Sequence, residues 1–167
     1  TDGRLRHGGT PIDLVYNRLT DFSLQAPALA PLRAAYEAGA VVLTPHPHAH
    51  ALFADKRNLA VLSDPQHLAA LGAPQPLIDR LVAGVPRTVE VGPGNAETLW
   101  AERRALFFKP AAGFGSRATY RGDKLTRRVW QDILAGDYVA QAIVAPGERL
   151  IEGDDTGTLR RAVGHLP

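Results

Sequence analysis

The chain has 167 residues, 45% of them hydrophobic and 22% charged, with a formal net charge of +2 at pH 7. That length suits one domain or two small lobes with a substantial core, and the balance excludes disordered and collagen-like chains. Zero cysteines exclude disulfides, thiolate metal sites and cysteine catalysis, and fit a reducing cytoplasm. No apolar run approaches the ~20 residues of a membrane helix, and the polar start TDGRLRHGGT lacks the apolar stretch of a signal peptide. The arginines are scattered apart from short pairs such as Arg103–Arg104, so neither nucleic acid nor membrane is expected as a partner. Methionine is absent even at the first position, where Thr1 stands, which predicts a trimmed or excised chain.

In chain order, GRLRHGGTPIDLVYNRL reads as a hairpin turned at Gly8–Gly9, with Ile12–Tyr16 a β-rich run. Leu29, Leu32 and Tyr36 fall at helical spacing in Pro27–Ala38, and Gly39 is a natural stop. Ala40–Leu43 reads as a buried strand running into the loop TPHPHAH. A further helix is expected over Lys56–Leu62, broken by Asp64–Pro65 and by Gly72–Ala73–Pro74, and another over Pro76–Ala83. Thr88–Val91 is strand-like, and Asn95 is placed to cap a helix over Ala96–Ala105. Leu106–Pro110 predicts a strand, Ala111–Gly115 a glycine turn, and Ser116–Tyr120 a second strand. Asp123–Leu134 is an amphipathic helix with Leu125, Val129 and Ile133 on one face, stopped by Gly136. Tyr138–Val144 predicts a third strand and Arg149–Glu152 a fourth, with a turn-rich tail beyond. Trp100 and Trp130 fall on apolar helix faces and are expected in the core.

A strand that delivers a lysine into a glycine turn is a physical device for holding phosphates. Lys109 supplies a mobile charge, Gly113 and Gly115 let backbone N–H groups approach an anion closely, and Ser116 adds a hydroxyl donor. The lysine precedes the glycines, so this is not a P-loop, and no helix opens at the glycines as a dinucleotide fingerprint requires. Taken alone, KPAAGFGS fits a phosphate-holding turn and a plain hairpin with a surface lysine about equally.

With Asp55–Lys56 upstream and the strand YVAQAIV downstream, the chain resembles the ATP-grasp superfamily from Asp13 to about Glu148, in particular its glutathionylspermidine-synthase-like and circularly permuted members. The resemblance implies that Lys56 and Lys109 contact the phosphates of ATP, neither acting as base or nucleophile. It implies that Gly113, Phe114, Gly115 and Ser116 close over the β- and γ-phosphates. Gln141 would meet the adenine amino group, the backbone of Ala142, Ile143 and Val144 would form the hinge contact, and Glu148, seven residues beyond Gln141, would bind the ribose hydroxyls. Arg18 is the substrate-side candidate, because a guanidinium can clamp a carboxylate. The implied fold is α/β (α+β): an N-terminal α/β segment over 1–54, a helical linker over 55–105, and an ATP-grasp small lobe with a small antiparallel sheet over 106–152, then a tail over 153–167. The implied activity of the intact protein is ATP-dependent ligation of a small-molecule or peptide carboxylate to an amine through an acylphosphate. Magnesium is the implied second cofactor. After Glu148 only Glu152, Asp154 and Asp155 are available to it, in a glycine-rich stretch with no strand pair expected, so its ligands are expected outside this chain.

Two other readings compete. A degenerate lobe of this kind would serve as a non-catalytic nucleotide-binding or interaction module. Separately, His46, His48 and His50 would share a face if strand-like, suggesting a metal hydrolase with Asp13 or Asp55; a solvated loop is the simpler reading. Asp13 and Asp21 as an acid–base pair compete with an edge residue and a turn cap.

Overall fold

The computed structural model describes residues 3–145 and, beyond them, the backbone of the strands Glu148–Glu152 and Leu159–Val163. Strands β1 (Arg6–His7) and β2 (Thr10–Pro11) form the expected hairpin across Gly8–Gly9. The β-rich run does not continue it. Strand β3 (Leu14–Tyr16) instead pairs in parallel with β4 (Val42–Thr44), with Leu14 opposite Val42 and Tyr16 opposite Thr44. Helix α1 (Ala30–Glu37) makes the crossover that parallel strands require. The expected buried strand at Ala40–Leu43 is shifted and only half buried: Val41 and Leu43 point inward while Val42 is exposed.

The loop expected at TPHPHAH is a helix, α2 (Pro47–Phe53). Pro47 occupies the first turn, where its missing N–H costs nothing, and the His46 ring accepts the N–H of Ala49 at 3.1 Å. Helices α3 (Arg57–Leu62), α4 (Pro65–Ala70) and α5 (Gln75–Gly84) follow. Asp64–Pro65 does end α3, but it also begins α4, which the sequence reading missed. The Asp64 carboxylate accepts from the N–H groups of Gln66 and His67 at 2.9 and 3.2 Å, a helix N-cap with proline in the first turn.

The main sheet has four strands in the order β5-β8-β6-β7, antiparallel throughout: β5 (Thr88–Glu90), β6 (Leu106–Pro110), β7 (Tyr120–Arg121) and β8 (Tyr138–Ala142). Helices α6 (Ala96–Glu102) and α7 (Arg127–Ala135) cover one face. Leu99, Trp130 and Ile133 from these helices bury Leu106, Phe108 and Ala140 of the sheet. Because strand side chains alternate, Phe107 and Lys109 of β6 and Gln141 of β8 fall on the opposite face. Helix α3 lies against the β5 edge. There the Ser63 hydroxyl accepts the Thr88 N–H at 2.9 Å and blunts an otherwise open strand edge. Mixed α+β architecture is therefore what the chain adopts.

Three local expectations are corrected. Ser116–Tyr120 is not a strand, since only Tyr120–Arg121 pairs with β6, and left-handed backbone at Ser116 and Ala118 (φ 56 and 51) interrupts any ladder before it. Asn95 does not cap α6. Its side chain turns back to accept the Gly92 N–H at 3.0 Å and to donate to the Glu90 carbonyl at 2.8 Å. A strand pair does follow Glu148: β9 (Glu148–Glu152) pairs antiparallel with β10 (Leu159–Val163), in place of a lone fourth strand and a tail without strands. Asp154 and Asp155 lie outside the described residues, as do the side chains of Glu148 and Glu152.

Candidate functional site

The end of β6 and the start of α3 are joined by backbone. The Lys56 N–H donates to the Ala111 carbonyl at 2.8 Å, and the Ala111 N–H donates to Asp137 at 2.8 Å. This stitch sets Lys56, at the mouth of α3, beside the glycine turn that follows Lys109. Lys56 Nζ donates to the Gly113 carbonyl at 3.2 Å, 57 positions along the chain. Asp55 does not draw Lys56 away, because its carboxylate is taken by Arg57, whose backbone N–H donates to it at 2.8 Å and whose guanidinium forms an ion pair with it. That side-chain bond to Arg57 is the chief reason the Asp55 carboxyl sits below its ordinary range.

The turn itself is shaped by its backbone angles. Gly113 and Gly115 take backbone angles (φ 129 and 64) that glycine alone adopts without strain, and Ser116 follows in the left-handed region. Among the described residues, only Arg117 and Thr119 of the loop 112–119 donate backbone hydrogen bonds, to Phe114 and Ser116. The N–H groups of Gly113, Phe114, Gly115 and Ser116 are left to a ligand or to water, and successive free amides in such a turn form an anion-binding concavity. With Lys56, Lys109, Arg117 and Thr119 they surround a cleft of about 190 Å³, with no acidic side chain in its lining among the described residues. Tyr138 anchors the loop by donating its hydroxyl to the Ala118 carbonyl at 3.2 Å, and Phe114 packs edge-on against Phe22 at 5.4 Å.

Lys109 is half-buried on the sheet face, and its Nζ donates to Gln141 Oε1 at 2.6 Å. Burial, and secondarily the Lys56 charge, hold its pKa below the ordinary 10.5.

The structure thus gathers Lys56, Lys109, Gly113, Gly115 and Ser116 around one cleft, with Gln141 in contact through Lys109. Ile143 and Val144 lie off the other end of β8; the Ile143 N–H is taken by the Ala105 carbonyl at 2.9 Å, while Val144 is exposed. Glu148 opens β9 opposite Val163. Arg18 is exposed after β3 and does not line the cleft. Arg117 and Thr88 escaped the sequence reading. Arg117 had a signal, a cation inside the glycine turn; Thr88 had none, because only the β5–β8 pairing brings it to Gln141.

The competing clusters have structural partners. His46 caps α2 and bonds Tyr36 at 3.2 Å, whereas His50 stacks on Phe22 at 3.9 Å, so the strand-like face expected for the three histidines does not exist. Among the described residues no group of three or more His, Asp or Glu side chains is placed to hold a metal ion. Asp13 pairs with Arg4 at 2.6 Å, and Asp21 accepts the Ala26 N–H at 2.7 Å, the partners of an edge residue and a turn cap. Among the described residues no helix is long and apolar enough to cross a membrane. No protein-family model matches the chain, and no curated protein matches it by sequence.

Proposed function

We propose that the chain is the ATP-binding portion of an ATP-grasp-like ligase, with Lys56, Lys109 and the loop Gly113–Ser116 holding the phosphates. The observation that carries this reading is the convergence of two lysines from distant segments on one glycine loop whose amides are free. A cleft of about 190 Å³ is smaller than the ~300–1,000 Å³ that whole small-molecule ligands occupy, which suits a phosphate chain alone. The resemblance assigns the base to β8. There Gln141, whose Oε1 accepts from Lys109, is the proposed adenine contact, with Ile143, Val144 and Glu148 as hinge and ribose contacts.

Bound there, ATP supplies the phosphoryl group that activates a carboxylate for attack by an amine. The residues of this chain bind and orient: the two ammonium groups and the loop N–H groups offset phosphate charge, the main task in phosphoryl transfer. Arg18 remains the proposed carboxylate clamp, and magnesium ligands are assigned outside the residues described. A cysteine-free chain that uses ATP fits the cytoplasm.

The test is an ATP titration followed by amide and lysine side-chain NMR shifts. Saturable shifts at Gly113, Gly115, Ser116, Lys56 and Lys109, matched by inorganic triphosphate and absent with adenosine, are the expected outcome. Shifts confined to other segments, such as α2 and the histidines, would overturn the assignment.

A further inference from the structure

We infer that Thr88 is a positioning residue for Lys109, acting through the amide of Gln141. The chain of bonds has one possible direction. The Pro86 carbonyl can only accept, and the Thr88 hydroxyl donates its single proton to it at 2.9 Å. Thr88 Oγ1 is then limited to accepting, and it accepts from Gln141 Nε2 at 3.0 Å. With its nitrogen committed, Gln141 presents Oε1 to Lys109, whose ammonium can only donate and does so at 2.6 Å. A flipped amide would set N–H against the ammonium and a carbonyl against the hydroxyl lone pairs, losing both bonds. Gln141 is 9% exposed, so water has little access to replace either.

The relay also joins the two lysines. Ser63, at the C-terminal end of the helix that Lys56 opens, accepts the Thr88 N–H at 2.9 Å. One short edge strand therefore fixes both the placement of α3 and the aim of Lys109. The inference rests on the phosphate-binding reading for its functional meaning, but the relay is testable without nucleotide.

The experiment is an NMR titration of the Lys109 side chain in the ligand-free full chain, comparing wild type with Thr88→Val and Thr88→Ser. Without Thr88 the Gln141 amide is no longer held with Oε1 toward the ammonium, and a less firmly held acceptor lowers the amine's pKa, so Thr88→Val is expected to lower the Lys109 midpoint, with Thr88→Ser close to wild type. An unchanged midpoint in folded Thr88→Val, or an equal drop in Thr88→Ser, would overturn the proposal. If Thr88→Val does not fold, the wild-type protein decides. Gln141 Nε2 protons are expected to show stronger NOEs to Thr88 than to the Lys109 ε-methylene, and the reverse order would overturn the relay. ATP titrations of the same variants carry the functional consequence: affinity about three- to tenfold weaker in Thr88→Val and near wild type in Thr88→Ser. A wild-type chain that binds no ATP would count against the phosphate reading while leaving the Lys109 midpoints to judge the relay.

Discussion

At the scale of single residues, Lys109 has the most consequential environment. Burial first, and the Lys56 charge second, lower its pKa from 10.5. A lysine with a depressed native pKa is a cost to folding while charged, and the cost is relieved as pH rises through the native value, where the unfolded chain holds the extra proton. The proposed anion binding runs the other way, because it needs the ammonium. ATP affinity is therefore expected to fall as pH is raised from neutral toward 10.5, beginning below the range of an ordinary lysine. Lys109→Arg, charged throughout, is expected to flatten that fall; an equal fall in both would show that another group titrates. Lys109, Gly113, Gly115 and Ser116 were legible because short-range sequence carries the pattern, a lysine at a strand end followed by glycines, whereas Lys56 entered only through the family resemblance. Thr88 was not, since its meaning comes from a cross-strand partner 53 positions away. The same blindness made Asn95 look like a cap when its amide satisfies Gly92 and Glu90 instead.

At the scale of elements, periodicity located α7, β6 and β8 well, because each has an alternating or helical apolar face buried in the core. It failed where prolines opened short helices. Pro47 fell in an expected loop and Pro65 read as a breaker, yet each sits in a first turn, where the ring's fixed backbone angle favours a helix. Ser116–Tyr120 failed for the opposite reason: strand-like composition was overruled by left-handed backbone that the sequence does not announce. The junction between α6 and the turn before α7 offers a sharp test. A Cβ at Gly122 would lie 1.8 Å from the Arg103 carbonyl oxygen, a backbone atom that cannot swing aside. Gly122→Ala is expected to cost about 1–3 kcal/mol in denaturant unfolding, typical of overpacking against fixed atoms. Wild-type stability in that variant would mean the turn and the helix end approach less closely than described.

At the scale of the whole molecule, the α+β class and the small antiparallel sheet were readable from the order of elements. The partnership of distant segments was not: β3 leaves its hairpin for β4, and β5 joins the sheet from the stretch read as a helical linker. These are tertiary pairings, decided by which faces remain to be buried after each local element forms. They are also what turns scattered cations into one cleft. The most direct measurement is a calorimetric titration of the full chain with ATP, with and without magnesium, in wild type and Lys109→Ala. A small, open phosphate cleft should give saturable binding near about 1 mM, roughly 4 kcal/mol, that Lys109→Ala abolishes. Binding that survives Lys109→Ala unchanged, or nanomolar binding, would contradict a phosphate site at the glycine loop.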